Sequence, residues 1–497
     1  MKNSYYIRNP NICFRNEKTH CVSYLIDDFF HMPEFFSLIG SSDVIFILLF
    51  DGKKPCIQVF KEYAYLFNVS YDSEDELFEK YSKKMQNLAK ELKISPLFIE
   101  SSTLSYDTIE ATNKLYNIKD FVISSKVQLE ALNRVGFRLS SPASINFNVT
   151  TICDFSCKYC YHQLLPITDY ISIERFDEIA KELYNGQCES VLLSGGNPIL
   201  RSDFDELVKV LAKNNLYYTI STKSVIPEQR LNYWHFDCNM KAIQISLDSL
   251  NNEIVNQHLG ISDDNYVEKI ITMIKFLISI GVRVRVKCVI TSKNIHTIID
   301  MVKVLSDIGV ETIVLTEYGR TFYRHSDDLF PTSEQFKKVN KDLQELVKND
   351  FYSTKIDKSV LTSLYRQPIR KTTDTVEEMF SHRVACSTGR FSLNMLPNGE
   401  LTICENLPYN KRFILGDLRK ESLTECWNGV KMKEWLSPPP RNIFDDKQPC
   451  KTCKQEWYEI CHSVYSRCLR FCNETFLNVD TIDISCPKAD FEQYRVQ

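Results

Sequence analysis

Cys153, Cys157 and Cys160 fall within the eight residues CDFSCKYC, spaced C-x3-C-x2-C. They follow Ile145–Val149, an alternating apolar run that reads as a strand. Zinc knuckles favour paired C-x2-C sites. A lone triad suits three corners of a [4Fe–4S] cluster and leaves the fourth iron open for a substrate. A second group lies toward the end of the chain. Cys386 and Cys404 bracket Gly399 as C-x12-G-x4-C. Cys450-x2-Cys453, Cys461, Cys468-x3-Cys472 and Cys486 follow, with Cys426 as a spare. Without Cys426 the group offers eight thiolates, enough for two clusters of four. Two zinc ribbons are the plainer alternative. Cys13, Cys21, Cys56, Cys188, Cys238 and Cys288 are scattered singly and read as core residues.

The whole chain has 497 residues, 43% hydrophobic and 25% charged, with a formal net charge of -4. That length implies roughly two to four domains. No lysine- or arginine-rich block stands out, so a general nucleic-acid partner is not expected. The start, MKNSYYIRNP, lacks a signal-peptide profile. The early apolar run Val44–Phe50 is too short to span a bilayer. The expectation is a cytoplasmic protein with no membrane partner. In a reducing compartment, 18 cysteines speak for metal ligation rather than disulfides.

The elements that must position the triad alternate strand and helix. Strands are predicted at Ile145–Val149, Ser190–Leu193, Tyr217–Ile220, Ala242–Leu247, Val282–Ile290 and Val310–Leu315. Helices are predicted from Ser172, an N-cap, through Tyr184, and at Asp203–Lys213, Tyr266–Ile280 and Ile295–Ile308. Six such units argue for an α/β fold with a parallel sheet or partial barrel. A closed eightfold barrel would need two more units, and none is evident. Chemistry belongs at the carboxyl ends of the strands.

The triad, with Tyr159 just before its third cysteine, resembles the radical S-adenosylmethionine (SAM) signature. The resemblance implies a partial (β/α)6 barrel over residues 141–320. It also implies that the open iron chelates the amino and carboxylate groups of SAM, and that one electron cleaves SAM to a 5′-deoxyadenosyl radical. Gly195, Gly196, Asn197 and Pro198 resemble the family's GGEP motif, with Asn197 where glutamate is usual. The two glycines would let a ligand approach the backbone. By the same likeness Ser221, Thr222, Ser246 and Asp248 would bond the ribose or the methionine carboxylate. Lys287 would pair with that carboxylate, and Leu315 would pack near adenine. Tyr161 and His162 would line the pocket or simply pack there.

The later cysteines resemble a SPASM domain, residues 386–497, which carries auxiliary [4Fe–4S] clusters. The likeness implies Cys386, Cys404 and Cys472 for an inner cluster. It implies Cys450, Cys453, Cys468 and Cys486 for an outer one, and leaves Cys461 open. Glu405 stands where sulfatase-maturing relatives carry an aspartate with a base-like role. The ordinary alternative is a surface carboxylate.

Residues 1–100 read as apolar helix (Phe35–Phe50), Asp51-Gly52, helix (Ile57–Phe67), acidic cap, and helix through about Leu92. This resembles a PqqD-like, winged-helix leader-binding domain, the recognition element for ribosomally made precursor peptides. Residues 101–140 are expected to form a linker or bridging helix, and 321–385 a bridging region with a helix at Ser333–Val347. The resemblances imply an enzyme that takes hydrogen from a precursor peptide and installs a thioether, carbon–carbon or carbon–oxygen crosslink. Its cofactors would be SAM, one SAM-binding cluster and two auxiliary clusters. A flavodoxin or ferredoxin would donate electrons. The alternatives are a formylglycine-forming sulfatase-maturing enzyme and a non-catalytic zinc-binding regulator.

Overall fold

The computed structural model describes residues 2–17, 20–26, 33–122, 138–162, 167–348, 354–357, 385–483 and 486. The chain divides into two compact units, Met1–Ser140 and Ser141–Gln497.

In the first unit Tyr5–Arg8 is the centre of a three-stranded antiparallel sheet, flanked by Asp51–Pro55 and Phe98–Glu100. Helices Ser41–Leu48, Cys56–Leu66 and Glu74–Glu91 pack an aromatic core of Phe46, Phe60, Tyr63 and Tyr81. The acidic cap is Ser73, whose hydroxyl accepts from the Glu76 amide at 3.2 Å. One expectation is corrected. Phe35–Ile39 belongs to strand Pro33–Ile39, paired with Cys21–Ile26, and the helix begins only at Ser41. An apolar run alone does not separate strand from helix, and Gly40-Ser41-Ser42 is the break. The segment 101–122, read as connection, folds back onto this unit. Arg8 Nη2 donates to Thr112 O at 2.6 Å and Asn113 Nδ2 to Asp51 O at 2.9 Å. The rest of that connection, 123–137, lies outside the described residues.

The second unit is built on one ten-stranded sheet. Its strands are numbered here β1 Ser144–Thr150, β2 Ser190–Gly195, β3 Tyr218–Thr222, β4 Ala242–Ser246 and β5 Arg283–Ile290. They continue as β6 Thr312–Glu317, β7 Lys355–Asp357, β8 Ser392–Met395, β9 Glu400–Thr402 and β10 Ile414–Asp417. Their spatial order is β7-β6-β5-β4-β3-β2-β1-β8-β9-β10. Strands β7 through β8 in that order are parallel, and β9 and β10 close the edge as antiparallel hairpins. Two parallel strands therefore flank the six predicted ones, and both lie in segments the pattern left as bridge or cysteine-rich tail. Both are short, three and four residues, too short to show alternation.

The helices between strands bury one stripe each. In Ile173–Asn185 it is Phe176, Ile179, Ala180 and Leu183, and Ser172 caps the helix by accepting from the Arg175 amide. Strand β5 alternates, burying Val284, Val286, Cys288 and Ile290. Gly399 turns β8 into β9 at φ +83°, a conformation that favours glycine. A helix also forms at Ser333–Lys348. Among the described residues no helix is long and apolar enough to cross a membrane.

Candidate functional site

The triad loop is held from two sides. The end of helix Asn252–Leu259 offers its carbonyls: Ser156 N donates to Leu259 O at 2.7 Å and Lys158 N to His258 O at 2.9 Å. Gly260 follows in the left-handed region, φ +67°, and a Cβ there would come within 2.8 Å of the Ser156 side chain. From the other side, Gly196 N donates to Thr150 O at 2.8 Å and Asn197 N to Ile152 O at 2.7 Å. A Cβ on Gly195 would lie 2.5 Å from Thr150 O, and one on Gly196 would overlap the Ile152 carbonyl. The glycine pair thus makes room for the loop that carries the cysteines, not simply for a ligand. Asn197 extends the same grip. Its Nδ2 donates to Asp154 at 2.7 Å and to Ser224 at 2.6 Å, and its Oδ1 accepts from Thr222 at 3.0 Å. A glutamate at this position would set a carboxylate against Asp154.

Behind the loop lies a buried polar network. Tyr159 Oη donates to Asp248 Oδ2, and the Val289 amide donates to Asp248 Oδ1 at 2.9 Å. His258 Nδ1 stands 3.8 Å from the same carboxylate, and its Nε2 meets Thr291 Oγ1 at 3.1 Å. Burial alone would raise Asp248. His258, Lys223 and Tyr159 outweigh it and hold the carboxyl below its ordinary range. Asp248 does not border the cavity, so the structure places it as a support of the triad loop rather than a SAM contact. Lys223, which the motifs did not single out, faces Cys157, Asp248, Cys160 and Cys153, and its Nζ stands 5.5 Å from the Tyr159 ring centroid. Burial pushes the Cys157 thiol up to about 12, against the pull of Lys223. A thiol in such a place becomes a ligand when a metal takes its proton's place.

A cavity of about 230 Å³ opens beside the triad. Of the predicted contacts, Tyr159, Gly195, Gly196, Asn197, Ser221, Thr222, Ser246 and Lys287 border it, with Tyr161 and His162. Pro198 and Leu315 do not. Pro198 is buried and opens a short 3₁₀ turn, and Leu315 is in the core. Thr316 and Glu317, at the very end of β6, reach the cavity instead. The cysteine-rich region also lines it, with Glu405, Asn406 and Arg470. Glu405 is therefore a cavity carboxylate, accepting from Asn146 Nδ2, and not a free surface group. Burial pushes Tyr161 well up, with Glu405 adding to it. Burial lowers His162 and Lys287, each opposed by Glu405.

The Cys468 thiol, pushed up to about 12 by burial, also feels Asp483, Cys386 and Cys404. Cys450, pushed up to about 12 by burial, feels Cys486, Cys461 and Cys453. Cys468 thus has Cys386 and Cys404 among its neighbours, and Cys450 has Cys461 among its own. Cys472, expected in the inner set, is fully buried one helical turn on, with Sγ 3.6 Å from Ile482 O. Arg470 stands between the cavity and the inner group. Burial would lower it, but Glu474, Cys404 and Cys468 hold it up. Among the described residues no three of these side chains stand close enough to share a single metal ion, whereas cysteines beside a cavity with polar strand ends are the donors that a larger [4Fe–4S] cluster and SAM would take.

Residues 147–308 match the Radical SAM superfamily, and residues 386–454 match the iron-sulfur cluster-binding SPASM domain. A probable GTP 3′,8-cyclase of Saccharolobus islandicus is 26% identical over 203 residues, 39% of this chain. The match spans 65% of that relative's length, just under two thirds. Streptococcus suis SuiB bound to S-adenosylmethionine is similar in fold, with a TM-score of 0.58 at 14% identity, over 92% of this chain and 94% of SuiB. SuiB bound to its precursor peptide SuiA gives a TM-score of 0.57 at 15% identity over the same shares. The chain thus has the α/β radical SAM fold joined to a SPASM domain.

Proposed function

We propose that this radical SAM enzyme, whose cofactors are S-adenosylmethionine and [4Fe–4S] clusters, matures a ribosomally made precursor peptide by crosslinking it. One observation carries the reading. A single cavity is lined both by the thiol triad and by Glu405, Asn406 and Arg470 of the SPASM region. A substrate held there lies between a radical source and an electron sink. When bound, the cofactors supply that chemistry: a 5′-deoxyadenosyl radical at the triad, and auxiliary clusters that accept the electron left by bond formation.

The chain's own groups position and protect. Ser221, Thr222 and Ser246, with the backbone at Gly195, offer hydroxyls and carbonyls to SAM. Glu405 is placed to take the proton released when the peptide bond partner, a thiol in the thioether case, attacks. The peptide then loses one hydrogen atom, one proton and one electron. The precursor bound to SuiB supports a peptide substrate, since that likeness covers 92% of this chain. The cyclase likeness covers only 39% of it. The first unit would act as the PqqD-like leader holder. Its sheet ends in two short edges, Asp51–Pro55 and Phe98–Glu100, and an extended leader can pair with an edge. A flavodoxin or ferredoxin would supply electrons.

The test is anaerobic incubation of the reconstituted protein with SAM, dithionite and each short peptide encoded beside its gene. The expected products are 5′-deoxyadenosine and a peptide lighter by two hydrogens. Formylglycine in a sulfatase-derived peptide, or turnover of GTP, with no change in any precursor, would overturn the reading.

A further inference from the structure

Two lysines border the cavity, and they answer to different neighbours. Lys287, on β5, faces Glu405, Arg285 and Arg470. Lys223, just past the end of β3, faces the triad: Cys157 first, then Asp248, Cys160 and Cys153. The Lys223 ammonium has no hydrogen-bond or ion-pair partner among the described residues, beyond its place over the Tyr159 ring. The one carboxylate in its range, Asp248, is already taken up by the Tyr159 hydroxyl and the Val289 amide. A half-buried ammonium therefore borders the same cavity as the three thiols, with no ion-paired carboxylate among the described residues.

We propose that Lys223 is an electrostatic residue that raises the reduction potential of the iron–sulfur centre held by Cys153, Cys157 and Cys160. The inference rests on the triad carrying a [4Fe–4S] cluster. One electron from an external low-potential donor adds one negative charge to that centre, and no proton need move. A fixed cation nearby stabilises the more negative, reduced form more than the oxidised one, and does so strongly where water is sparse. Lys223 lines the same cavity as the three cysteines, with its Nζ 5.5 Å from the ring centroid of Tyr159, the residue just before Cys160. Lys223 thereby eases the entry of the electron that starts the reaction. The Tyr159–Asp248–His258 network keeps the loop against it.

The experiment is a redox titration of the full-length reconstituted protein, followed by electron paramagnetic resonance. The triad's signal is the one whose shape changes when SAM is added. Lys223→Met is expected to keep its iron and shift that midpoint to more negative potential. Lys223→Arg is expected to restore it. Should the methionine variant hold less iron, Lys223→Gln carries the comparison, because its amide keeps volume and polarity without charge. An unchanged midpoint in the neutral variants overturns the inference, as does an equal shift in Lys223→Arg. A wild-type protein with no SAM-responsive signal overturns the cluster reading itself, a result distinct from an unmoved midpoint.

Discussion

Cys153, Cys157 and Cys160 reach one cavity wall on a single short loop. Cys386, Cys404 and Cys468 meet only because a hairpin, several helices and the 469–476 helix bring them together. The first arrangement is local. Its geometry is fixed by backbone hydrogen bonds from Ser156, Lys158, Gly196 and Asn197. The second is tertiary. Order along the chain then says little about which thiols are neighbours: Cys386 and Cys404 act on Cys468, and Cys461 acts on Cys450. Spacing is informative about a site when one loop spans it, and loses force when the fold must close the gap.

The largest expected effect isolates the local site. Replacing Cys153, Cys157 and Cys160 together by alanine should abolish 5′-deoxyadenosine release while about eight of about twelve irons remain. Undiminished release would remove the triad from the chemistry. Next comes a pair of glycines. Gly196→Ala forces a methyl into the Ile152 carbonyl, so the triad loop must move. Loss of most triad iron is expected, with release down by about 100-fold or more, a misplacement effect. Gly399→Ala is strained by its φ of +83° and meets only side-chain atoms closely, Ile171 Cδ1 at 3.1 Å and Arg419 Cγ at 3.3 Å. It should cost about 1–2 kcal/mol, read as a lower melting temperature, with the iron retained.

The barrel was legible because its strands and helices are long enough to show period. All six predicted strands are present, within a few residues of their expected ends. What periodicity missed was short or ambiguous: β7, β8, and the strand at Pro33–Ile39. At the site, motif spacing brought out the glycine pair, Ser221, Ser246 and Lys287, all at the cavity. Pro198, Asp248 and Leu315 lie off the cavity lining, and for Leu315 the reason is that a strand end carries one residue into the pocket and the next into the core. Lys223 gave a signal that went unused. A lysine between Thr222 and Ser224 at a strand end is a charge where capping residues are usual. His258 and Gly260 gave none, since the triad loop they meet, at Ser156 and Lys158, is distant in sequence.

Smaller effects test the tertiary grouping. Cys468→Ala should perturb the cluster shared with Cys386 and Cys404, and Cys461→Ala the one shared with Cys450, Cys453 and Cys486. In both, SAM cleavage should persist while crosslinking falls, because only the second step needs an electron sink. The two variants should alter different resonance signals. If both alter the same signal, the separation of the two sets fails.

The smallest expected effect falls on Cys426, which has the same chemistry as its neighbours in sequence but lies elsewhere in space. Its thiol is buried against Gly416, where a glycine Cβ would come within 2.7 Å of Sγ, and it lies 3.8 Å from Glu421 Oε2. Burial, then Glu421, pushes it up to about 12, so it stays a neutral thiol across the working pH range. Its neighbours are the carboxylates of Glu421 and Asp417 rather than other thiols, so its place is one of packing. Cys426→Ala should therefore keep every iron and full crosslinking. It should lose about 1–2 kcal/mol of stability, as buried truncations do. Iron analysis beside a thermal melt separates the outcomes. Retained iron with a lower melting temperature is expected, and lost iron would return Cys426 to the ligand set and undo the grouping argued from position.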